Sequence, residues 1–293
     1  MATALKGDAA GRNSGASIVS AGAWVALIFA LLALCILPLF VLHVDLNNLK
    51  TGTAPPVLVI VGVLLSAYTP SLAAIIVTAA STGRRGVRRL LAQMLYWRVH
   101  PKWYVLVLAG PIGLFLLADA LHSVSGGAAP HDWLLLPGAG SVSFVVGGLI
   151  AGALGEEFGW RGFGQSRLQM RHGALVAALV IGIVWSTWHL WPAFVPGGRM
   201  TWSEVFATYV RLISTAVIYA WIYNATKSLL LVMVAHIGHN IAAALVQLPT
   251  SGSLDVPLII AFLYFAAAVV VVLTTRPETL TRLKPEAHPS SVP

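Results

Sequence analysis

The sequence predicts an all-α, polytopic integral membrane protein of about eight transmembrane helices around a polar intramembrane cavity. Three observations carry that prediction. Hydrophobic residues make up 58% of the 293. Charged residues make up 10%, where a soluble domain carries about 25%. Mean hydropathy is +0.83. A soluble core of this length cannot hide so much apolar surface. A disordered chain is excluded by the same numbers. A disulfide scaffold is excluded because the only cysteine, Cys35, lies inside an apolar run.

Eight runs are long enough to cross a hydrocarbon core about 30 Å thick. They cover roughly 20–43, 56–80, 103–121, 143–163, 174–192, 204–224, 228–248 and 256–275. The first is too long for a cleaved signal, and no clear processing site follows it. Pro56 starts the second and Pro70 sits at a kink, as do Gly110 and Pro111 in the third. The fourth is rich in glycine. Residues 1–18 and 276–293 are expected to be disordered tails, with one transmembrane domain at 19–275 between them. There is no internal repeat and no long linker.

The chain holds 18 basic and 10 acidic residues, a net charge of +8. With an even number of spans both termini face one side. Placing them inside leaves 14 basic residues on that side, against Lys50 and Arg199 outside. The positive-inside rule therefore puts both termini in the cytoplasm of a cell membrane. This asymmetry, not nucleic-acid binding, explains the charge. The stretch Thr82 to Lys102 interleaves arginines with Leu90, Leu91, Met94, Leu95 and Trp97. It anchors the topology, and as an interfacial helix it would touch anionic headgroups or help a membrane-anchored substrate dock.

Charge at membrane depth is costly and is therefore a pointer to function. Asp119 lies near the end of its span, beside His122, and is expected to be a solvated helix end. Glu156 and Glu157 sit inside the fourth span, in ALGEEFGWRGFG. Adjacent helical residues project about 100° apart, so the two face different neighbours. Glu157 and Arg161 are i,i+4 and can pair, which leaves Glu156 for another partner. A buried carboxylate poised near neutrality is what a general base needs. His189 shares a face with Trp185, and His236 with Asn240, each pair again at i,i+4. These polar groups, on three apolar helices, must meet one another or a wet cavity. His239 is expected to point elsewhere, as a structural residue. Arg211 is expected to snorkel or to pair with a buried acid.

The ordered set Glu156-Glu157-x-x-x-Arg161, Trp185-x-x-x-His189 and His236-x-x-x-Asn240 resembles the three motifs of the CAAX-protease and bacteriocin-processing family of intramembrane proteases. That family includes the type II CAAX prenyl proteases, and its pattern is EExxxR, FxxxH and HxxxN. Here Trp185 stands where the family has Phe. The resemblance covers about a hundred residues, with a core at about 143–248. It implies an intramembrane endopeptidase acting on a membrane-associated protein or peptide, prenylated and CAAX-like in some members. It implies that Glu156 activates water, that His189 orients or deprotonates it, and that His236 and Asn240 stabilise the oxyanion. Glu157 and Arg161 would hold the first motif in place, with Trp185 as bulk beside His189. Members have also been described as metalloproteases. Glu156, His189 and His236 would be the Zn²⁺ ligands if such a site exists. There is no HExxH helix, and the favoured expectation is a glutamate mechanism that requires no cofactor. The partners expected are the substrate and the bilayer. Two other classes remain open on the residues alone: an ion-coupled transporter, since intramembrane Glu, His and Arg also make proton relays, and a non-catalytic immunity or scaffold protein.

Overall fold

The structure is a computed structural model, and it describes residues 2–45, 56–127, 133–134, 152–246 and 256–282, with side chains from Ala21 onward. The described residues are helical, with no strand and only two isolated β-bridges. In chain order the helices are α1 Ala2–Val41, α2 Val57–Ser66, α3 Thr69–Ala92, α4 Pro101–Val124, α5 (152–157), α6 Ser166–His172, α7 Ala174–Trp188, α8 Trp202–Thr226, α9 Leu229–Leu245 and α10 Val256–Thr274. A π-helical segment, Phe158–Gln165, joins α5 to α6.

Five helical stretches are long and apolar enough to cross a membrane: Ala21–Val41, Pro101–Val124, Ala174–Phe194, Trp202–Thr226 and Val256–Thr274. A sixth is a broken pair, Val57–Ser66 and Thr69–Leu95, bent by 66°. The chain is thus a multi-pass membrane protein with five or six such helices among the described residues. The expected count of eight is not reached there, for two reasons. Part of the fourth run, 143–151, lies outside the described residues. The seventh forms only the 17-residue α9, about 26 Å long at 1.5 Å per residue.

The expected boundary at residue 18 is not a helix end, since α1 is helical from Ala2. The expected C-terminal tail from 276 begins with an Arg276–Thr281 bridge, and 283–293 lies outside the described residues.

The bend between α2 and α3 positions the site. Pro70, in the first turn of α3, has no N–H to give and disfavours helix in the residue before it. Polar groups at the break find partners inside the bundle, as an apolar surrounding demands. Trp24 Nε1 of α1 donates to the Pro70 carbonyl at 3.0 Å. Trp188 Nε1 of α7 donates to Thr69 Oγ1 at 3.0 Å. Ser71 Oγ donates to the Leu154 carbonyl and accepts from the Gly159 N–H, both at 3.3 Å. Two glycines allow this crossing of backbones. A Cβ on Gly155 would lie 2.4 Å from the Ala67 carbonyl oxygen, and one on Gly159 would lie 2.4 Å from the Pro70 carbonyl.

The largest core cluster surrounds this crossing, with Trp24, Trp160, Phe163, Ile181 and Trp185 all buried. A second joins α4, α9 and α10 through Phe115, Ala242 and Tyr264. Asp119 lies against that second cluster, fully buried, and neither of its carboxylate oxygens has a hydrogen-bond partner. The expected solvated helix end is therefore corrected: α4 continues past Asp119 to Val124 and turns that face inward.

In the basic stretch 82–102, Arg84, Arg85, Arg88 and Arg89 are exposed while Leu90 is buried. Its helical part ends in a 3₁₀ turn at Gln93–Leu95, and the chain reaches α4 in extended form.

Candidate active site

The first motif divides as its helical geometry requires. Glu157 turns to Arg161, whose NH1 donates to Oε1 at 3.1 Å, with both side chains fully buried. His236 of α9 joins them, its Nδ1 lying 2.8 Å from Glu157 Oε1. A carboxylate only accepts, so His236 Nδ1 carries the proton and Nε2 faces away from Glu157. The Arg161 guanidinium lies over the rings of Trp185 and Tyr219, 4.5 and 4.9 Å from their centroids. Charge pairing and cation–π contact together hold a cation that could not otherwise be buried.

Glu156 turns to a different set. Its Oε2 accepts from two indoles, Trp160 Nε1 at 3.2 Å and Trp185 Nε1 at 2.5 Å. Oε1 is the oxygen left over. Its position is given by Gly152, one turn earlier. A Cβ added there would lie 3.8 Å from Glu156 Oε1, 3.5 Å from His236 Nε2 and 3.1 Å from Asn240 Nδ2. Three chemically competent atoms from two helices thus gather around one point, and the absence of a side chain at Gly152 keeps it open.

His189 caps the C-terminal end of α7. Its ring stands edge-on to Trp185 at 5.7 Å and to Trp188 at 4.8 Å. The Trp185 ring also meets His236, at 5.8 Å. One indole therefore contacts both imidazoles. His189 Nδ1 is buried without a hydrogen-bond partner. His189, His236 and Asn240 line a common cavity of about 490 Å³ with Trp185, Tyr219 and Arg211.

Two expectations are corrected here. His239 does not point away: it lines the same cavity. Residues three apart on a helix lie only about 60° apart around it, so His236 and His239 open on adjoining faces. Arg211 pairs with no buried acid among the described residues. Its NH1 donates to His239 Nε2 at 3.0 Å, and because Arg can only donate, His239 is left with its proton on Nδ1, 2.6 Å from the Tyr264 hydroxyl.

The conditional Zn²⁺ set does not fit. No group of three His, Cys, Asp or Glu side chains among the described residues could hold a metal ion. Trp160 and Tyr219 are members of the site that sequence reasoning missed. Trp160 had a signal, since it stands i+4 from Glu156 just as Arg161 does from Glu157. Tyr219 had none, because only tertiary packing brings α8 over Arg161.

The fold and site define a class: a polytopic helical membrane protein with imidazoles and an amide on one cavity and a buried carboxylate close beside two of them. Comparison with known proteins finds similarity over one segment. Residues 138–242 match the family described as Type II CAAX prenyl endopeptidase Rce1-like, a segment of about a third of the chain. A protein named CAAX prenyl protease 2, from Methanococcus maripaludis, is 29% identical over 97 residues. That alignment covers 30% of this chain and 35% of the relative, so the chain spans about a third of the length of the curated relative it matches.

Proposed function

We propose that the protein is an intramembrane endopeptidase that hydrolyses a peptide bond of a membrane-associated protein or peptide, with a CAAX-like, prenylated C-terminal segment as the leading substrate class. One observation carries this reading: the gathering of Glu156 Oε1, His236 Nε2 and Asn240 Nδ2 around the open face of Gly152, where His236 and Asn240 also line a cavity with His189.

The chemistry follows from what each atom has left to do. With Oε2 held by two N–H donors, Glu156 Oε1 takes a proton from water, and the hydroxide attacks the scissile carbonyl carbon. The carbonyl oxygen becomes an oxyanion. Asn240 Nδ2 donates to it in any protonation state, and His236 Nε2 donates when the ring carries both protons. Collapse breaks the C–N bond, and the Glu156 carboxyl returns its proton to the leaving amine. His189, which lines the same cavity as His236 and Asn240, orients the water. Glu157 and Arg161 fix the His236 tautomer.

The test uses the purified full chain in lipid vesicles with a farnesylated peptide ending in a Cys-aliphatic-aliphatic-X sequence. Wild type cleaves it. Glu156→Gln, with an unchanged melting curve, yields no product. Full cleavage by that variant would overturn the reading.

A further inference from the structure

A second cavity, of about 280 Å³, lies between α3 and the π-helical segment, outside the site described above. Arg85 and Arg89 of α3 line it from one side. Arg167, about eighty residues further along the chain, lines it from the other. No carboxylate among the described residues pairs with any of the three. Three cations converging without a counter-charge repel one another, so the cavity as built favours an anion.

The rest of the lining is also suited to oxygen ligands. Thr78 is 4% exposed, and its Oγ1 has no hydrogen-bond partner. Thr82 Oγ1 and Gln93 Nε2 also line it, each donating to a backbone carbonyl, of Thr78 at 2.9 Å and of Gly162 at 3.4 Å. Gly86 keeps the space clear, since a Cβ there would overlap Thr82 Oγ1. Arg167 is pre-set, its guanidinium stacked 3.5 Å over the Phe163 ring. Planar guanidinium groups with several donors each match phosphate oxygens better than a point charge does.

The sequence around the cavity also suits a lipid phosphate. It occurs where the apolar part of α3 gives way to arginines, and Leu72, Ile76, Leu91 and Leu95 on the same stretch expose apolar side chains that can take acyl chains. We infer that this cavity binds the phosphate group of an anionic phospholipid. The bound phosphate bridges Arg85 and Arg89 of α3 to Arg167, which follows the segment that carries Arg161. The site owes nothing to the proposed peptidase activity, and its test needs no substrate.

The experiment follows thermal unfolding and bound lipid, by native mass spectrometry, for the purified full chain in an uncharged detergent. The probes are dioctanoyl phosphatidylglycerol, dioctanoyl phosphatidylcholine and inorganic phosphate. Phosphatidylglycerol raises the melting midpoint and is retained, while the other two do neither. R85Q/R89Q and, separately, R167Q each weaken phosphatidylglycerol binding by about tenfold or more, read against the same variant without lipid. R84Q/R88Q, which removes two neighbouring exposed arginines that do not line the cavity, binds as wild type does. Equal losses in R84Q/R88Q and R85Q/R89Q, or unchanged binding in R167Q, would overturn the site in favour of diffuse surface attraction. A midpoint rise with inorganic phosphate matching that with phosphatidylglycerol, or with phosphatidylcholine matching it, would overturn the anionic-lipid assignment.

Discussion

Two indole N–H groups meet Glu156 on one oxygen, and that asymmetry decides what the other oxygen can do. Trp185→Phe keeps a ring beside both His189 and His236 but removes the closer donor. Turnover is expected to fall by about 10- to 100-fold with little change in melting temperature; an unchanged kcat would reduce Trp185 to packing alone. Arg161 is the opposite case. Its charge is buried between Glu157 and two aromatic rings, so Arg161→Met leaves the carboxylate uncompensated. A loss of about 3–5 kcal/mol in a reversible denaturation experiment is expected. The Glu157–Arg161 pair was legible in the sequence because i,i+4 spacing is a local property of helices. The Trp185–Glu156 bond was not, since it joins residues 29 apart on different helices. The same limit hid the partner of Arg211: an acid was the chemically natural guess, and a neutral imidazole on α9 turned out to supply the acceptor.

Among the elements, the broken pair α2–α3 and the glycine-lined α5 act together. Gly155→Ala and Gly159→Ala would each push a methyl group into the backbone of residues 67–70. Overpacking of this kind costs about 1–3 kcal/mol or more, and both variants are expected to lower the melting temperature. Gly152→Ala separates folding from function. Its methyl meets side chains of the site, the nearest being Asn240 Nδ2 at 3.1 Å, so it should fold and yet lose cleavage; retained cleavage would show that the point beside Gly152 is not where water and carbonyl meet. The kink at Pro70 was readable from the residue itself. The early end of α9 was not, because hydropathy reports how greasy a run is and not where its backbone leaves the helix. Val246 adopts an extended conformation and forms an isolated antiparallel bridge with Leu134, a contact that no local pattern announces. The π-helical turn was equally hidden, although the glycines at 162 and 164 marked the segment as free to depart from regular helix.

At the scale of the whole molecule, the charge asymmetry makes an orientation testable. In a Cys35→Ala background, Arg199→Cys in the exposed connection between α7 and α8 should react with a membrane-impermeant maleimide in intact cells, and Ser290→Cys only after lysis. The reverse pattern would invert the topology. Dialysis of active protein against a chelator is expected to leave cleavage intact; loss that Zn²⁺ alone restores would require a ligand set other than Glu156, His189 and His236 as they stand. The bond from Trp24 to the bent span has a consequence for handling the protein. The region shared with the family starts at residue 138, yet the wall behind its acidic motif is built by α1 and α3, far upstream. A recombinant piece trimmed to the shared region would leave Trp160 and Phe163 without the indole they pack on. Such a piece should aggregate, and only a chain that keeps the upstream helices and α10, which packs on α4 and α9, should fold.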